Sequence, residues 1–152
     1  LFRSNATHIN SNLTYILDPG SATTAATYGS WPWLGASPDA QNLTVYYEVP
    51  KFSVRVSVAK RDGYYTNYPI AAGSCAPGAC DSPLVNDFAG SKGTTNVDAV
   101  ASWNFNAHLS LRLEGLNLSN QTTNRYAYVA SPVVTQYASS GRQITLGVRF
   151  KY

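Results

Sequence analysis

The chain has 152 residues, of which only 12% are charged, and a net charge of +3. This length fits one ordinary domain, and charged side chains are about half as frequent as in a typical soluble protein. The cations are scattered, which excludes the basic stripe of a nucleic-acid-binding protein. No apolar run approaches the ~18 residues of a transmembrane helix.

Polar uncharged and aromatic residues take the place of the missing charges. Eleven tyrosines and eleven glycines occur. This composition is typical of strands with one face in lipid and the other in a wet lumen. A soluble, secreted β-sandwich has a similar composition, so both classes remain open at this point.

In chain order, alternating hydrophobicity predicts six strands. Their connections are long after the first, third and fifth strands and short after the second and fourth. The loop over 18–40 is rich in Gly, Pro, Ala and Thr, and the loop over 68–94 carries both cysteines. The strands cover residues 2–17, 42–49, 52–67, 95–105, 109–129 and 143–152.

The fifth predicted strand changes phase part-way along. Leu111 and Leu113 share one parity, whereas Leu116 and Leu118 have the other. Gly115 lies at the change, and a glycine at such a point predicts a β-bulge.

The last predicted strand alternates without a break and ends on an aromatic residue. About ten residues is the length that a tilted strand needs to cross the hydrocarbon layer of a membrane. Its apolar positions are Ile144, Leu146, Val148, Phe150 and Tyr152.

Loop lengths and aromatic positions agree with a membrane barrel. Short turns at one end and long loops at the other are typical of outer-membrane barrels. Phe52, Trp103 and Phe105 fall at the short-turn end together with Phe150 and Tyr152, where an aromatic girdle is expected. We therefore expect an all-β, antiparallel transmembrane barrel in the bacterial outer membrane, with the short turns on the periplasmic side.

Cys75 and Cys80 flank a Pro-Gly turn signal. We interpret them as a disulfide in an exposed loop, formed in an oxidising compartment. The alternative is a metal or redox pair, but the spacing fits neither common zinc sites nor Cys-x2-Cys motifs, and no histidine lies nearby.

Several segments resemble the C-terminal barrel strands of TonB-dependent outer-membrane receptors. The order of an alternating strand, EGLNL, a tyrosine, Ser-Gly-Arg and a final alternating strand is familiar in that family. The matching segments are 42–48 (NLTVYYE), 52–58 (FSVRVSV), 98–105 (DAVASWNF), 109–120 (LSLRLEGLNLSN) and 137–152 (YASSGRQITLGVRFKY).

The resemblance implies TonB-dependent active uptake of a scarce nutrient, such as a metal chelate, cobalamin, a sugar or a peptide. The family's barrel has about 22 strands around an N-terminal plug. Six strands cannot close a barrel, and an open edge in lipid leaves backbone groups without partners. We therefore expect residues 1–152 to be the C-terminal part of a barrel domain whose plug is not present.

The resemblance also implies the partners. They are TonB through the missing plug region, the outer-membrane barrel assembly machinery, lipid and lipopolysaccharide, and a small-molecule substrate. The assembly machinery would read Phe150 and Tyr152 as the assembly signal. No cofactor, metal or nucleic acid is expected. No catalytic constellation surrounds His8 or His108, so we do not expect an enzyme.

Two groups of residues are candidates for function. Arg55, Asp98, Arg112, Glu114 and Arg149 have lumen parity and are expected to face the plug, or else to form ion pairs along the wall. Large aromatic groups in an exposed loop usually have a contact to make, although they can also fold the loop or form an aromatic belt. The substrate-contact candidates are Trp31, Trp33, Tyr64, Tyr65 and Arg125.

Two alternatives come from other classes. A complete small barrel with a structural or adhesion role would need about two more strands, since the smallest such barrels have about eight. A soluble secreted β-sandwich binding module would not need detergent, whereas a barrel would.

Overall fold

The computed structural model of the chain consists of β-strands joined by turns and loops. It describes residues 1–73, 75, 76, 79, 80, 82 and 84–152, and only the backbone of residues 75, 76, 79 and 80. Within this part of the chain no helix occurs, and so none is long and apolar enough to cross a membrane. In chain order the strands are β1 (Phe2–His8), β2 (Leu13–Asp18), β3 (Thr27–Trp31), β4 (Asp39–Val49), β5 (Phe52–Arg61), β6 (Tyr64–Asn67), β7 (Cys75–Ala76), β8 (Ala79–Cys80), β9 (Ala89–Ser91), β10 (Thr94–Asn104), β11 (Leu109–Leu116), β12 (Thr122–Ala127), β13 (Val133–Ser139) and β14 (Gln143–Phe150).

Six long strands form one antiparallel sheet, which we call the wall sheet. Its order is β1-β4-β5-β10-β11-β14, so each strand pairs with the next long strand along the chain. The predicted series of six antiparallel strands, with short turns after the second and fourth, is confirmed. The sheet is open, because β1 and β14 are its edges.

Two short turns join wall strands at one end of the sheet. Val49 pairs with Phe52, which leaves Pro50 and Lys51 as a two-residue turn. In the second turn, the Asn106 side-chain oxygen accepts hydrogen bonds from the backbone N–H groups of His108 and Leu109, both at 2.8 Å. An asparagine that bonds to the backbone in this way fixes a tight turn.

The long connections at the other end contain strands of their own. β13, β12, β9 and β6 form a four-stranded sheet, which we call the rim sheet, and β2 and β3 form the rim hairpin. β6 follows β5 and β12 follows β11, while β9 and β13 lead into β10 and β14. The four rim strands therefore lie side by side in the same order as the four wall strands to which they are connected.

Glycine and asparagine residues mark the joints between wall and rim. A Cβ atom at Gly63 would lie 2.9 Å from the Ser91 carbonyl oxygen, and one at Gly93 would lie 2.9 Å from that of Arg61. The segments around Gly63 and Gly93 can approach each other this closely only because both residues lack side chains. Directly after the neighbouring strand β11, Asn117 adopts a positive φ of 51°.

Several predicted boundaries are corrected. The strand expected over 2–17 is two strands, and so is each of those expected over 52–67 and 109–129. The loops expected over 18–40 and 68–94 contain strands β3 and β7 to β9. The loop expected before the last strand contains β13. Alternation over short stretches identified these segments poorly because local turns interrupt them.

The predicted bulge at Gly115 is wrong. Gly115 pairs regularly with Ala99 on one side and Ile144 on the other. The strand ends at Leu116, and the turn that follows changes the parity. A register shift occurs instead between Arg125 and Tyr126. Gly115 has a packing role, because a Cβ there would lie 2.8 Å from the Leu118 side chain.

The buried core lies in the rim. Among the described residues only Phe88 and Ala127 are buried apolar side chains, with 2% and 8% of their surface exposed. Both belong to the connections beyond the wall sheet. The wall sheet itself buries no large apolar side chain.

Candidate functional site

One face of the wall sheet is apolar and uncovered. Cross-strand pairing places the apolar positions of the strands in rows that run across the sheet. On β14, Ile144, Leu146 and Val148 expose 73%, 64% and 65% of their surface. Fully burying such a side chain is worth about 1.5–3 kcal/mol, and most of this is not gained here. One row contains Tyr47, Val54, Ala101, Leu113 and Leu146, and the next contains Val49, Phe52, Trp103, Leu111 and Val148.

Aromatic rings gather at the short-turn end of the apolar face. The Phe52 and Trp103 rings meet edge to face, with centroids 5.5 Å apart, and the Trp103 and Phe105 rings stack at 6.1 Å. Phe150 ends β14 and is 71% exposed, and Tyr152 beyond it is fully exposed. The aromatic positions predicted for this end do lie together at the end of the sheet with the short turns.

The opposite face of the wall sheet is polar. Ser53, Ser102 and Arg112 form one row across it, and Arg55, Val100 and Glu114 form the next. Arg55 and Arg112 line one depression with Tyr46 and Glu48, and Arg55, Asp98 and Glu114 line another beside it. Four of the five predicted lumen-facing residues are thus brought together on one face.

Pairing among these charges is sparse. Arg112 lies 3.4 Å from the Glu114 carboxylate, and the two side chains are 59% and 36% exposed. Such an exposed pair stabilises a fold by about 0–1 kcal/mol. The Asp98 carboxylate accepts a hydrogen bond of 2.8 Å from the backbone N–H of Asn117, which fastens the joint to the rim. Within the described part of the chain, neither Arg55 nor Arg149 forms an ion pair.

Arg149 lies apart from the other four lumen-facing candidates. It pairs with Ser110 near the second short turn and lines a depression together with His108 and Lys151. The backbone N–H of Lys151 donates to the His108 carbonyl at 2.8 Å. The last strand is therefore tied to this turn.

A cluster of aromatic rings forms the core of the rim. The Phe88 ring lies 4.3 Å from the ring of Tyr68, 4.9 Å from that of Tyr65, 5.2 Å from that of Trp31 and 5.3 Å from that of Tyr15, measured between centroids. Each such ring pair contributes about 0.5–1.5 kcal/mol beyond its buried area. The cluster joins the rim hairpin to the rim sheet.

The predicted substrate contacts do not form one site. Trp31 is a strand residue whose ring packs on Phe88, so it folds the loop on itself, which was the alternative to ligand contact. Trp33 is 61% exposed, and Arg125 is exposed on β12. Tyr64 and Tyr65 line one cavity, and the Arg61 guanidinium lies 4.2 Å from the Tyr64 ring centroid.

Phe88, Tyr15 and Tyr68 are central to the rim but were not singled out from the sequence, whereas Tyr126 was expected near the rim. Phe88 is the only phenylalanine within 68–94. A single phenylalanine in a segment rich in Gly, Ala and Pro was the available indication of a core position. The tyrosines gave no such indication, because tyrosine at a rim is common in membrane barrels.

Two rim tyrosines titrate above the ordinary range. Burial raises the pKa of Tyr68 above 10.0, and the Asp87 carboxylate adds to the rise. Burial also raises the pKa of Tyr126, with smaller effects from Tyr65 and Asp87. Asp87 is held in place because it accepts hydrogen bonds from the N–H groups of Val129 and Ala130. The rim therefore favours neutral phenol groups.

The side chains of the predicted disulfide, Cys75 and Cys80, lie outside the part of the chain that the structure describes. The backbones of Cys75 and Cys80 pair across the small β7–β8 hairpin. The disulfide itself stays a prediction.

Metal-binding and catalytic arrangements are not evident in the described part of the chain. No group of three or more His, Cys, Asp or Glu residues there could hold a metal ion. His8 lies 2.8 Å from the Asp39 carboxylate, and His108 lies 3.0 Å from the Lys151 carbonyl.

Comparison with protein-family models, curated proteins and solved structures finds no match.

Proposed function

We propose that the wall sheet is part of the wall of a bacterial outer-membrane β-barrel, and that the protein takes part in TonB-dependent active uptake of a scarce nutrient. The observation that carries the barrel proposal is the uncovered apolar face, which extends across the wall strands opposite a polar face. The uptake proposal is supported by the family resemblance of the segments from Asn42 to Tyr152.

A lipid environment fits the apolar face of the wall sheet best. Soluble monomers rarely expose a continuous apolar patch of more than a few hundred Å². A β-sandwich would cover this face with a second sheet about 10 Å away. The rim sheet extends the wall strands instead of packing face to face on them. Uncovered rows such as Tyr47, Val54 and Leu146 therefore favour a membrane wall over a soluble sandwich.

The open edges require further strands. In hydrocarbon, each unpaired backbone group costs several kcal/mol, so β1 and β14 need partners in the bilayer. Additional strands of the same polypeptide or further copies of this chain would supply them. In the family the barrel surrounds a plug, and the row of Arg55 and Glu114 would meet its polar surface.

The aromatic positions support an orientation in the membrane. Trp and Tyr prefer the boundary between lipid and water. In the proposal, the end with Phe52, Trp103 and Phe105 faces the periplasm. The rim, with its Phe88 core, then stands above the opposite surface, where a substrate would first arrive.

The position of the tryptophans gives a direct test. A double variant, W31F/W33F, leaves Trp103 as the only tryptophan. In vesicles containing lipids brominated on their acyl chains, we expect Trp103 fluorescence to be quenched. The matched variant W31F/W103F leaves Trp33, which lies in the rim and should not be quenched.

Equal fluorescence of Trp103 in brominated and ordinary vesicles would contradict the membrane wall. The uptake proposal requires a second experiment. Cells that express the protein should accumulate a nutrient only while TonB is active, and accumulation independent of TonB would overturn that part.

A further inference from the structure

A small cavity in the rim has the chemistry of a binding site. Its volume is about 320 Å³, at the low end of the roughly 300–1,000 Å³ of ligand sites. It lies between the rim sheet and the segment 32–38, and among the described residues no Lys, Arg, Asp or Glu lines it. The side chains that form most of its wall are Pro32, Pro38, Tyr64, Tyr65 and Tyr126.

Three tyrosines line the cavity. Tyr64, Tyr65 and Tyr126 are all half-buried, and their hydroxyl groups make no hydrogen bond to any described residue. Tyrosines elsewhere in the rim behave differently. The Tyr15 hydroxyl donates to the Pro32 carbonyl at 3.1 Å, and the Tyr68 hydroxyl donates to the Ile16 carbonyl at 2.6 Å.

The lining of the cavity is held in place by hydrogen bonds. The backbone N–H of Gly35 donates to the Tyr65 carbonyl at 2.7 Å, and the Arg61 guanidinium donates to the Gly35 carbonyl at 3.0 Å. The buried Ser37 hydroxyl donates to the Asp62 carbonyl. A wall fixed before binding lowers the entropy that a ligand must overcome.

Gly90 sets the position of the Tyr126 ring. Gly90 pairs with Tyr65 on one side and with Tyr126 on the other. A Cβ at Gly90 would lie 2.5 Å from the Tyr126 hydroxyl oxygen and 2.6 Å from the adjoining ring carbon. The Tyr126 ring therefore lies across the bare backbone of Gly90, and its hydroxyl turns towards Tyr65.

We propose that this cavity binds one neutral sugar ring. This inference rests on the proposed uptake function, because it names the class of nutrient. The apolar C–H faces of a sugar would pack on the tyrosine and proline rings, while its hydroxyl groups would both donate to and accept from Tyr64, Tyr65 and Tyr126.

Other ligand classes fit less well. An apolar aromatic ligand would displace water from three phenol groups and leave them unpaired, which costs binding free energy. A charged ligand would find no opposite charge in the lining. The guanidinium of Arg61, which contacts the Tyr64 ring from outside the lining, also donates to the Gly35 carbonyl.

The test is binding of glucose, galactose and N-acetylglucosamine to the purified protein, measured by saturation-transfer NMR in a detergent without a sugar headgroup. Phenol and glucose 6-phosphate serve as the apolar and the charged probe. We expect at least one of the sugars to bind more tightly than either control. Tyr65→Phe and Tyr126→Phe should each weaken that binding roughly three- to ten-fold, as expected for one lost hydrogen bond.

The matched control is Tyr137→Phe. Tyr137 is 65% exposed on β13 and does not line the cavity. This variant should bind sugar like the wild type. Gly90→Ala should reduce binding at least ten-fold, because its methyl group displaces the Tyr126 ring while leaving every hydroxyl in the protein.

Sugar binding that neither Gly90→Ala nor Tyr126→Phe weakens would overturn the proposal, as would binding of phenol alone or of none of the probes. These outcomes are separate from the fluorescence test of the membrane wall. Quenched Trp103 without sugar binding would remove the sugar site and leave the barrel proposal intact.

Discussion

The wall sheet and the rim sheet are built from strands that follow one another along the chain but are stabilised in different ways. In the wall sheet, hydrogen bonds between strands hold the structure together, and the apolar side chains of one face are uncovered. In the rim, apolar side chains turn towards one another around Phe88, as in a soluble protein. If the wall sheet lies in lipid as proposed, one chain meets two solvents, and the change occurs within a few residues at Gly63, Gly93 and Asn117.

The largest expected effect is the loss of the rim core. Phe88→Ala removes a ring that contacts four others and should destabilise the rim by about 3–5 kcal/mol. Hydrogen exchange should show faster exchange of amides in β6, β9 and β12. The wall amides should keep their protection, and equal loss in wall and rim would show that the two regions unfold together.

A charge on the wall should have the complementary effect. Leu146→Arg places a cation in the middle of the apolar face, at a cost of about 2–4 kcal/mol if that face lies in lipid. We expect a smaller fraction of protein inserted in vesicles, measured by protease protection. The matched variant Thr145→Arg faces the polar side and should insert normally, and similar insertion of the two variants would count against the two-faced wall.

Alkaline pH should distinguish the rim from the wall. Because the pKa values of Tyr68 and Tyr126 are raised above 10.0 in the folded protein, these phenols ionise first in the unfolded chain. Rim stability should therefore be constant below pH 10 and fall as pH rises through the interval up to the folded pKa values. This loss of stability is measured by near-ultraviolet absorbance during an alkaline titration, with Tyr126→Phe as the reference. Unchanged alkaline stability in both proteins would contradict the prediction.

The smallest expected effect concerns the wall charges. Arg112→Ala removes the exposed pair with Glu114 and should change stability by only about 0–1 kcal/mol. Thermal unfolding in detergent measures the difference. A loss as large as that of Phe88→Ala would mean that the polar face contributes to the stability of the wall far more than its exposure indicates.

The wall could be predicted from the sequence because its two faces repeat every second residue. The strands around Val54, Trp103 and Leu146 required only this period, and the short turns at Pro50 and Asn106 followed from turn chemistry. No tertiary contact was needed to place them.

The rim could not be predicted in this way. β13 is exposed along its whole length, and its apolar residues do not alternate with polar ones because Val133 and Val134 are adjacent, so there is no period of two to detect. The parity change after Leu116 arises from a turn at Asn117, where a side chain bonds to the backbone, and it was mistaken for a bulge. The cavity between Pro32 and Tyr126 joins residues far apart in the sequence, and only the paired strands bring them together.

The joints between wall and rim also define where the molecule could be recombined. At this level the backbone N–H of Asp62 donates to the Asp39 carbonyl, that of Lys92 to the Asn124 carbonyl and that of Leu118 to the Val97 carbonyl, so each crossing includes a hydrogen bond between main-chain atoms. Contacts of this kind do not depend on side-chain identity. A different rim could therefore be grafted onto this wall at Gly63, Gly93 and Asn117, and binding preference could diversify while the scaffold stays constant.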